Sequence, residues 1–273
     1  MSIQAGATVG AVQAALPLDP LENRILLCHA LGLTRVGLIT QSHRALTSDE
    51  AATLDALVAR RLAGEPIAYI VGKREFYGLD FHVTDAVLIP RPDTELLVEL
   101  ALERLAPGAS VLDMGTGSGA IAVAIAHTRP DARVTALDAS TGALDVARAN
   151  AAANAANVAF LHSDWYGALA GVMFGMIVSN PPYIASGDTH LSEGDLRFEP
   201  VSALTDHADG LSALRTIIAG AGPHLAPGGW LLLEHGYDQA DQVRALLTAH
   251  GYDQVQSWRD LAGIERVSGG TLG

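Results

Sequence analysis

The sequence is 273 residues long, 49% hydrophobic and 17% charged, with a net charge of −13. That length accommodates a full α/β domain plus a smaller one, and the composition is globular rather than disordered. The acidic balance argues against a broad, sequence-independent grip on a phosphate backbone, and no apolar run reaches the roughly 20 residues that span a bilayer. Met1-Ser2-Ile3-Gln4-Ala5 lacks a basic start followed by an apolar core, so no secretory signal is expected. The one cysteine, Cys28, cannot form an intramolecular disulfide and fits a reducing cytosol, and the scattered histidines form no metal-ligand spacing.

From Val9 to about Ala63 apolar residues recur at helical steps, as in Leu21, Ile25, Leu26, Cys28 and Leu31. Asp19-Pro20 supplies a cap and a first-turn proline. Ser48 is expected to cap a later helix with Leu54, Leu57, Val58 and Leu62 on its apolar stripe, and Gly64-Glu65-Pro66 ends it. We read residues 1–73 as a small all-helical domain, either a structural cap or a partner-recognition module. Residues 74–90 change period: Phe76, Tyr77, Phe81, Val83, Val87, Leu88 and Ile89, broken by Gly78 and Asp85, read as short strands of a β-hairpin linker. Pro90-Arg91-Pro92-Asp93-Thr94-Glu95 then leads into a helix with Leu97, Leu100, Ala101 and Leu105 on one face. Arg91, Thr94 and Glu95 read either as polar groups at a helix start or as part of an active-site wall.

The remainder, residues 91–273, alternates strand and helix. Strands are predicted at Val111–Met114, Arg133–Asp138, Val158–Leu161, Phe174–Val178 and Trp230–Glu234, with two more near Val255 and Glu265–Val267. Helices are predicted at Ala120–His127, Leu144–Ala153, Leu211–Leu225 and Gln239–His250, and a long loop carries Arg197-Phe198-Glu199-Pro200. Strands separated by helices of this length imply a mostly parallel, doubly wound sheet, which binds ligands at the carboxyl ends of its strands.

Gly115-Thr116-Gly117-Ser118-Gly119 lies directly between a strand and a helix, and Asp138 ends the next strand 19 residues after Gly119, where a ribose diol would sit. These residues indicate a nucleoside-containing ligand. They leave open a nicotinamide-dependent oxidoreductase, because Gly115-x-Gly117-x-x-Ala120 also satisfies the dinucleotide fingerprint. Asp113, two residues before the loop, could hold an ammonium group and would repel a pyrophosphate. Asp164-Trp165 suits an adenine, a carboxylate for its amine and an indole to pack on. Both features favour S-adenosylmethionine.

The apolar run ending at Val178 meets Asn180-Pro181-Pro182-Tyr183. Consecutive prolines cannot donate to a sheet ladder, so the strand stops there and leaves Asn180 at its carboxyl end. Pro181 pushes Asn180 out of the helical region, which keeps nearby carbonyls from being consumed by a helical turn. Acceptors held close together suit a planar NH2, and Tyr183 offers a flat face. An ordinary strand-to-loop turn is the plainer reading of the same four residues.

With these residues in place, the sequence resembles the S-adenosylmethionine-dependent methyltransferases of amide and amine nitrogens, and more narrowly the release factor glutamine methyltransferases. The similarity runs through Arg74-Glu75-Phe76, Ile89 to Glu95, Asp113 to Ala120, Ser163-Asp164-Trp165, Val178 to Tyr183, Asp195 to Pro200 and Leu232-Leu233-Glu234-His235-Gly236. The resemblance implies an α/β fold, a seven-stranded Rossmann-like class I methyltransferase sheet with a small all-helical N-terminal domain. It implies transfer of a methyl group from S-adenosylmethionine to the side-chain nitrogen N5 of the glutamine in the Gly-Gly-Gln motif of peptide chain release factors. Cofactor contacts would fall on Gly115, Thr116, Gly117, Ser118, Gly119, Asp138, Trp165 and Asn180, with Asn180, Pro181, Pro182 and Tyr183 receiving the glutamine. The helical module would help to hold the release factor, and a cytoplasmic monomer without a metal is expected. A nucleic-acid amino-methyltransferase uses the same tetrad, but the charge and the lack of a basic recognition insert disfavour it. Ser118 stands where the family often has Thr, and the glycine-rich end after Val267 leaves the length of the last strand open.

Overall fold

The structure, a computed structural model, describes residues 3–273. Met1 and Ser2, which open the stretch read as lacking a secretory signal, lie outside the described residues. Two compact units divide at Gly72 and Lys73.

The first unit holds α1 (Val9–Ala15), α2 (Pro20–Leu31), α3 (Arg35–Thr40), α4 (Ser48–Leu62) and α5 (Ile67–Val71). Asp19 caps α2 as the sequence indicates, its carboxylate accepting the Leu21 N–H at 2.8 Å. Ser48 does not cap α4. Thr47 does, in a reciprocal box: its hydroxyl accepts the Glu50 N–H, and the Glu50 carboxylate accepts the Thr47 N–H. Val9, Leu26, Leu27 and Leu54 are wholly buried in this unit's own core. Cys28 packs against that core, and burial pushes its thiol pKa up, as for a structural thiol.

The second unit opens with an antiparallel hairpin, β1 (Lys73–Phe76) and β2 (Leu79–His82), that plants Phe76 and Phe81 in the core. The hairpin is shorter than predicted: Val83, Val87, Leu88 and Ile89 are not strand. β1 supplies the reason: it begins only at Lys73, which lies opposite His82, so the strand offers nothing to pair with the residues that follow, while the Asn150 side chain holds the outward-facing N–H (2.7 Å) and carbonyl (2.9 Å) of His82. The residues beyond are free to line the cleft described below.

Then come α6 (Glu95–Arg104), β3 (Ser110–Met114), α7 (Ala120–Thr128), β4 (Arg133–Asp138), α8 (Thr141–Ala153), β5 (Val158–His162), β6 (Phe174–Ser179), α9 (Val201–Leu204), α10 (Ser212–Ala221), β7 (Leu225–Glu234), α11 (Ala240–Ala249), β8 (Tyr252–Arg259) and β9 (Glu265–Leu272). The seven-stranded sheet runs β5-β4-β3-β6-β7-β9-β8, parallel except where β9 lies antiparallel to β7 and β8. This is the doubly wound sheet read from the sequence.

Leu112 and Met114 on one face of β3 join α10 and α11 in one apolar layer, while Val111 on the other joins α6 and α7 in a second. A strand buried on both faces reads as a near-continuous apolar run, as Met176-Ile177-Val178 of β6 does, and β3 departs from it only at Ser110 and the buried Asp113. The chain leaves β3 for β4 and β5 on one side, then returns to β6 on the other. That reversal beside β3 is where a doubly wound sheet opens a crevice.

Two boundaries differ from expectation. Leu225 belongs to β7 rather than to the preceding helix, and Pro227-Gly228-Gly229 lies within that strand, at an irregular stretch of its pairing with β6 where the missing proline N–H is tolerated. The last strand continues to Leu272. Its glycines let it pack closely on β7: a Cβ on Gly269 would lie 2.4 Å from the Leu231 carbonyl oxygen. No helix among the described residues is long and apolar enough to cross a membrane.

Candidate active site

A cleft of about 560 Å³, within the usual range for a cofactor site, opens where β3, β4, β5 and β6 end. Gly115, Thr116, Gly117 and Ser118 form one wall, Asp138 and Ser140 the next, Asp164 and Trp165 the third, and Asn180 and Pro182 the fourth. Phe76, Val87, Leu88 and Pro90 add apolar surface. Seven of the eight predicted cofactor residues therefore meet around one space. Gly119 is set back from it as the residue preceding α7, where a Cβ would meet that of Ala147 at 3.1 Å.

The loop is held open from behind. Gly115 and Thr116 both donate their N–H groups to the Leu137 carbonyl at 2.9 Å, and Gly117 donates to Asp138 at 2.9 Å. Gly115 and Gly117 have φ of +72° and +55°, and nothing lies within 4 Å of where a Cβ would stand. Such a loop lets a ligand approach the backbone directly. Asp138 also accepts from the Ser140 N–H at 2.8 Å, so its carboxylate is fixed at the cleft before any ligand arrives. Trp165 sits in the left-handed region at φ +45°, secured by a 2.7 Å hydrogen bond from the Ser163 hydroxyl to its carbonyl.

Asp113 does not reach the cleft, and its predicted contact with a ligand ammonium is not made from this position. It is wholly buried under the loop, accepting from the Thr116 hydroxyl at 2.6 Å and the Ala122 N–H at 3.2 Å. Burial pushes its pKa up to about 7 against those two hydrogen bonds. The carboxylate shapes the loop and the first turn of α7 instead.

The tetrad stands between two spaces. Pro182 lines the large cleft, Pro181 and Tyr183 line a smaller cavity of about 60 Å³ with Ile184, Leu196 and Leu204, and Asn180 lines both. Ser179 ties this corner to the neighbouring strand, its hydroxyl donating to the Met114 carbonyl at 2.6 Å. The Asn180 Nδ2 donates to the Thr94 hydroxyl oxygen at 3.2 Å, which leaves Oδ1 as the free end. Burial pushes the Tyr183 phenol above its ordinary range, so it is a neutral donor.

Several residues here carried no assigned role in the sequence reading. Glu199 is buried, pairs with Arg91 and accepts the Ile89 N–H at 3.0 Å, fastening the 89–91 segment to the loop over the cleft. Burial raises the Glu199 pKa, opposed by the Arg91 guanidinium. Gln239 backs the tetrad by donating from Nε2 to the carbonyls of Tyr183 (3.0 Å) and Gly210 (3.2 Å). Gly210 has φ +82°, and a Cβ there would lie 2.5 Å from the Tyr183 carbonyl. Gly210→Ala is therefore expected to destabilise the fold by more than about 1 kcal/mol and to lower activity by displacing the tetrad. Denaturant unfolding checks the first effect; an unchanged midpoint would contradict the close approach. Among the described residues no group of three His, Cys, Asp or Glu is placed to hold a metal ion.

Known proteins share this architecture. The family described as Methyltransferase small domain matches residues 92–195, and the PrmC N-terminal domain matches residues 11–72. The release factor glutamine methyltransferase of Burkholderia pseudomallei is 59% identical over 275 residues, covering 97% of this chain and 96% of that protein. The enzyme of the same description from Bordetella pertussis is 54% identical, covering 93% and 96%. A methyltransferase structure from Pyrococcus furiosus superposes with a TM-score of 0.56 at 22% identity, covering 79% of this chain and 97% of that one, a likeness of fold.

Proposed function

We propose a division of labour within the cleft from the premise that this chain belongs to the release factor glutamine methyltransferase family. It is an S-adenosylmethionine-dependent enzyme that methylates the side-chain amide nitrogen N5 of the Gly-Gly-Gln glutamine in peptide chain release factors. The cofactor supplies an electrophilic methyl group on a sulfonium. The volume of the cleft, its open glycine loop and its apolar floor fit that cofactor. Gly115, Thr116, Gly117 and Ser118 would hold it along the loop, Asp138 would take the ribose hydroxyls, and Asp164 and Trp165 the adenine.

The observation that carries the catalytic reading is the orientation of Asn180. Its Nδ2 is committed to Thr94, so Oδ1 is the end available to an incoming N–H. A carboxamide nitrogen is a poor nucleophile because its lone pair is delocalised into its carbonyl. Asn180 Oδ1 and the Pro181 carbonyl can accept both hydrogens of the glutamine amide and aim the nitrogen at the methyl group, with Tyr183 packing on its plane. Positioning of this kind lowers a barrier by several kcal/mol without a strong base. The proton leaves to solvent once the new N–C bond has formed. In our reading the release factor binds from the small-cavity side and the helical unit helps to hold it. The enzyme works as a monomer in the cytoplasm, where release factors act.

Asp138→Ala is expected to weaken S-adenosylmethionine binding about tenfold or more by removing charge-assisted hydrogen bonds. Calorimetric titration checks this, and an unchanged Kd would remove Asp138 from the site. The substrate class is tested by offering a purified release factor and ribosomal RNA together with labelled methyl donor. Label in the protein fraction supports the reading, and label in the RNA overturns it.

A further inference from the structure

Glu234 ends β7 with 1% of its surface exposed, directly behind the tetrad. Its Oε1 accepts the Tyr183 phenol at 3.4 Å. The Thr94 hydroxyl also acts on this carboxylate as a donor that holds its pKa down, while Oε2 stays buried with no hydrogen-bond partner. Such an acceptor costs stability rather than adding it. No cation compensates it by direct contact among the described residues. Arg266 and Asp93 act on it with opposite signs and face each other at 3.7 Å. Arg91 is paired with Glu199, and the adjacent His235 is neutralised by burial and bonded to Gly236 and Ser268.

The place of this carboxylate explains the orientation of Asn180. Thr94 has one hydroxyl hydrogen, and it accepts from Asn180 Nδ2 only while that hydrogen points elsewhere. We propose that Glu234 is a positioning residue for methyl transfer: it draws the Thr94 hydroxyl hydrogen toward itself, so that Asn180 turns its Oδ1 to the substrate amide, and it anchors Tyr183 in the same way. When Glu234 carries a proton it becomes a donor. Thr94 then accepts from it and offers its own hydrogen to the Asn180 oxygen, in competition with the glutamine. The ionised form is the productive one.

Burial places this exchange at a pKa of about 7. The folded protein then holds the proton more tightly than the unfolded chain, so the contribution of Glu234 to stability falls as pH rises from 4.5 to about 7. Function and stability are opposed at this residue, which separates it from a structural carboxylate. The inference rests on the tetrad reading above.

The test compares kcat at saturating cofactor, KM for the release factor and thermal unfolding on both sides of pH 7 for the wild type, Thr94→Val, Thr94→Ser, Glu234→Gln and Asn180→Ala. We expect wild-type kcat to rise with pH through about 7. Asp113 also titrates at about 7 but lies behind the glycine loop, so its effect falls on cofactor affinity and is removed by saturation. Thr94→Val should lose about tenfold or more in kcat with KM nearly unchanged, and Thr94→Ser should recover most of it. Glu234→Gln should lose kcat at high pH and the acid limb with it, while melting at or above the wild-type temperature there. Wild-type kcat in Thr94→Val overturns the inference, even if Glu234→Gln fails to fold. So does a Glu234→Gln protein that keeps the acid limb or loses activity only in step with stability. Collapse in Asn180→Ala alone overturns the relay and spares the tetrad reading; wild-type activity in Asn180→Ala overturns that reading itself.

Discussion

Asn180→Ala is expected to lower methyl transfer about 10²- to 10³-fold while S-adenosylmethionine binding stays within a few-fold. The side chain faces both the large cleft and the small cavity, so it is the one polar group of the tetrad that reaches both proposed binding spaces. Truncation removes an acceptor aimed at the glutamine amide and leaves the loop, Asp138 and Trp165 in place. The barrier should therefore rise with little change in the cofactor's ground state. Single-turnover transfer and an independent cofactor titration separate the two quantities. Equal loss of both would show that Asn180 serves the cofactor rather than the substrate.

Arg91→Ala is expected to destabilise the second unit by about 3 kcal/mol, because it leaves the Glu199 carboxylate buried without its cation. The side chain of Glu199 has no exposure, and its remaining partner is the Ile89 N–H. A loss of that size lowers the melting temperature by roughly 6–12 °C in a domain of this length. Burial already raises the Glu199 pKa, and removing Arg91 raises it further. The destabilisation should therefore be larger at high pH, where the carboxyl must ionise, than in mild acid, where it keeps its proton. The same substitution frees the 89–91 segment from the loop over the cleft, so turnover should fall as well. Thermal scans at two pH values check the stability effect; a shift independent of pH would mean that Glu199 is not the group exposed by the loss.

Most of the sheet was legible because its strands are short apolar runs closed by glycine, proline or an acid, as in β3, β4 and β6. Asp138 and Asn180 could be placed because strand ends in a doubly wound sheet converge. The errors have local causes. Ser48 and Thr47 are both good caps, and only the reciprocal Glu50 contact decides between them. The stretch Val83 to Ile89 has the apolar content of a strand, but β1 begins only at Lys73, opposite His82, and offers no residue to pair with it. Asp113 lies level with Ala136, two residues short of Asp138 along the sheet, and its carboxylate is held beneath the loop by Thr116 and Ala122. Glu199, Glu234 and Gln239 lie far along the chain from the residues they support. Glu199 and Glu234 lie in stretches that carry the resemblance, and Glu234 also ends an apolar strand, but neither signal says which loop the acid would face.

The most direct measurement places the methyl group on its atom. A purified release factor and its Gly-Gly-Gln glutamine-to-alanine variant are incubated with the enzyme and labelled S-adenosylmethionine, and the labelled peptide is sequenced by mass spectrometry. We expect one methyl group on the side-chain amide of that glutamine in the wild-type factor and none on the variant. Label on the variant, or on any other residue of the wild type, would contradict the reading of the tetrad as a seat for that glutamine.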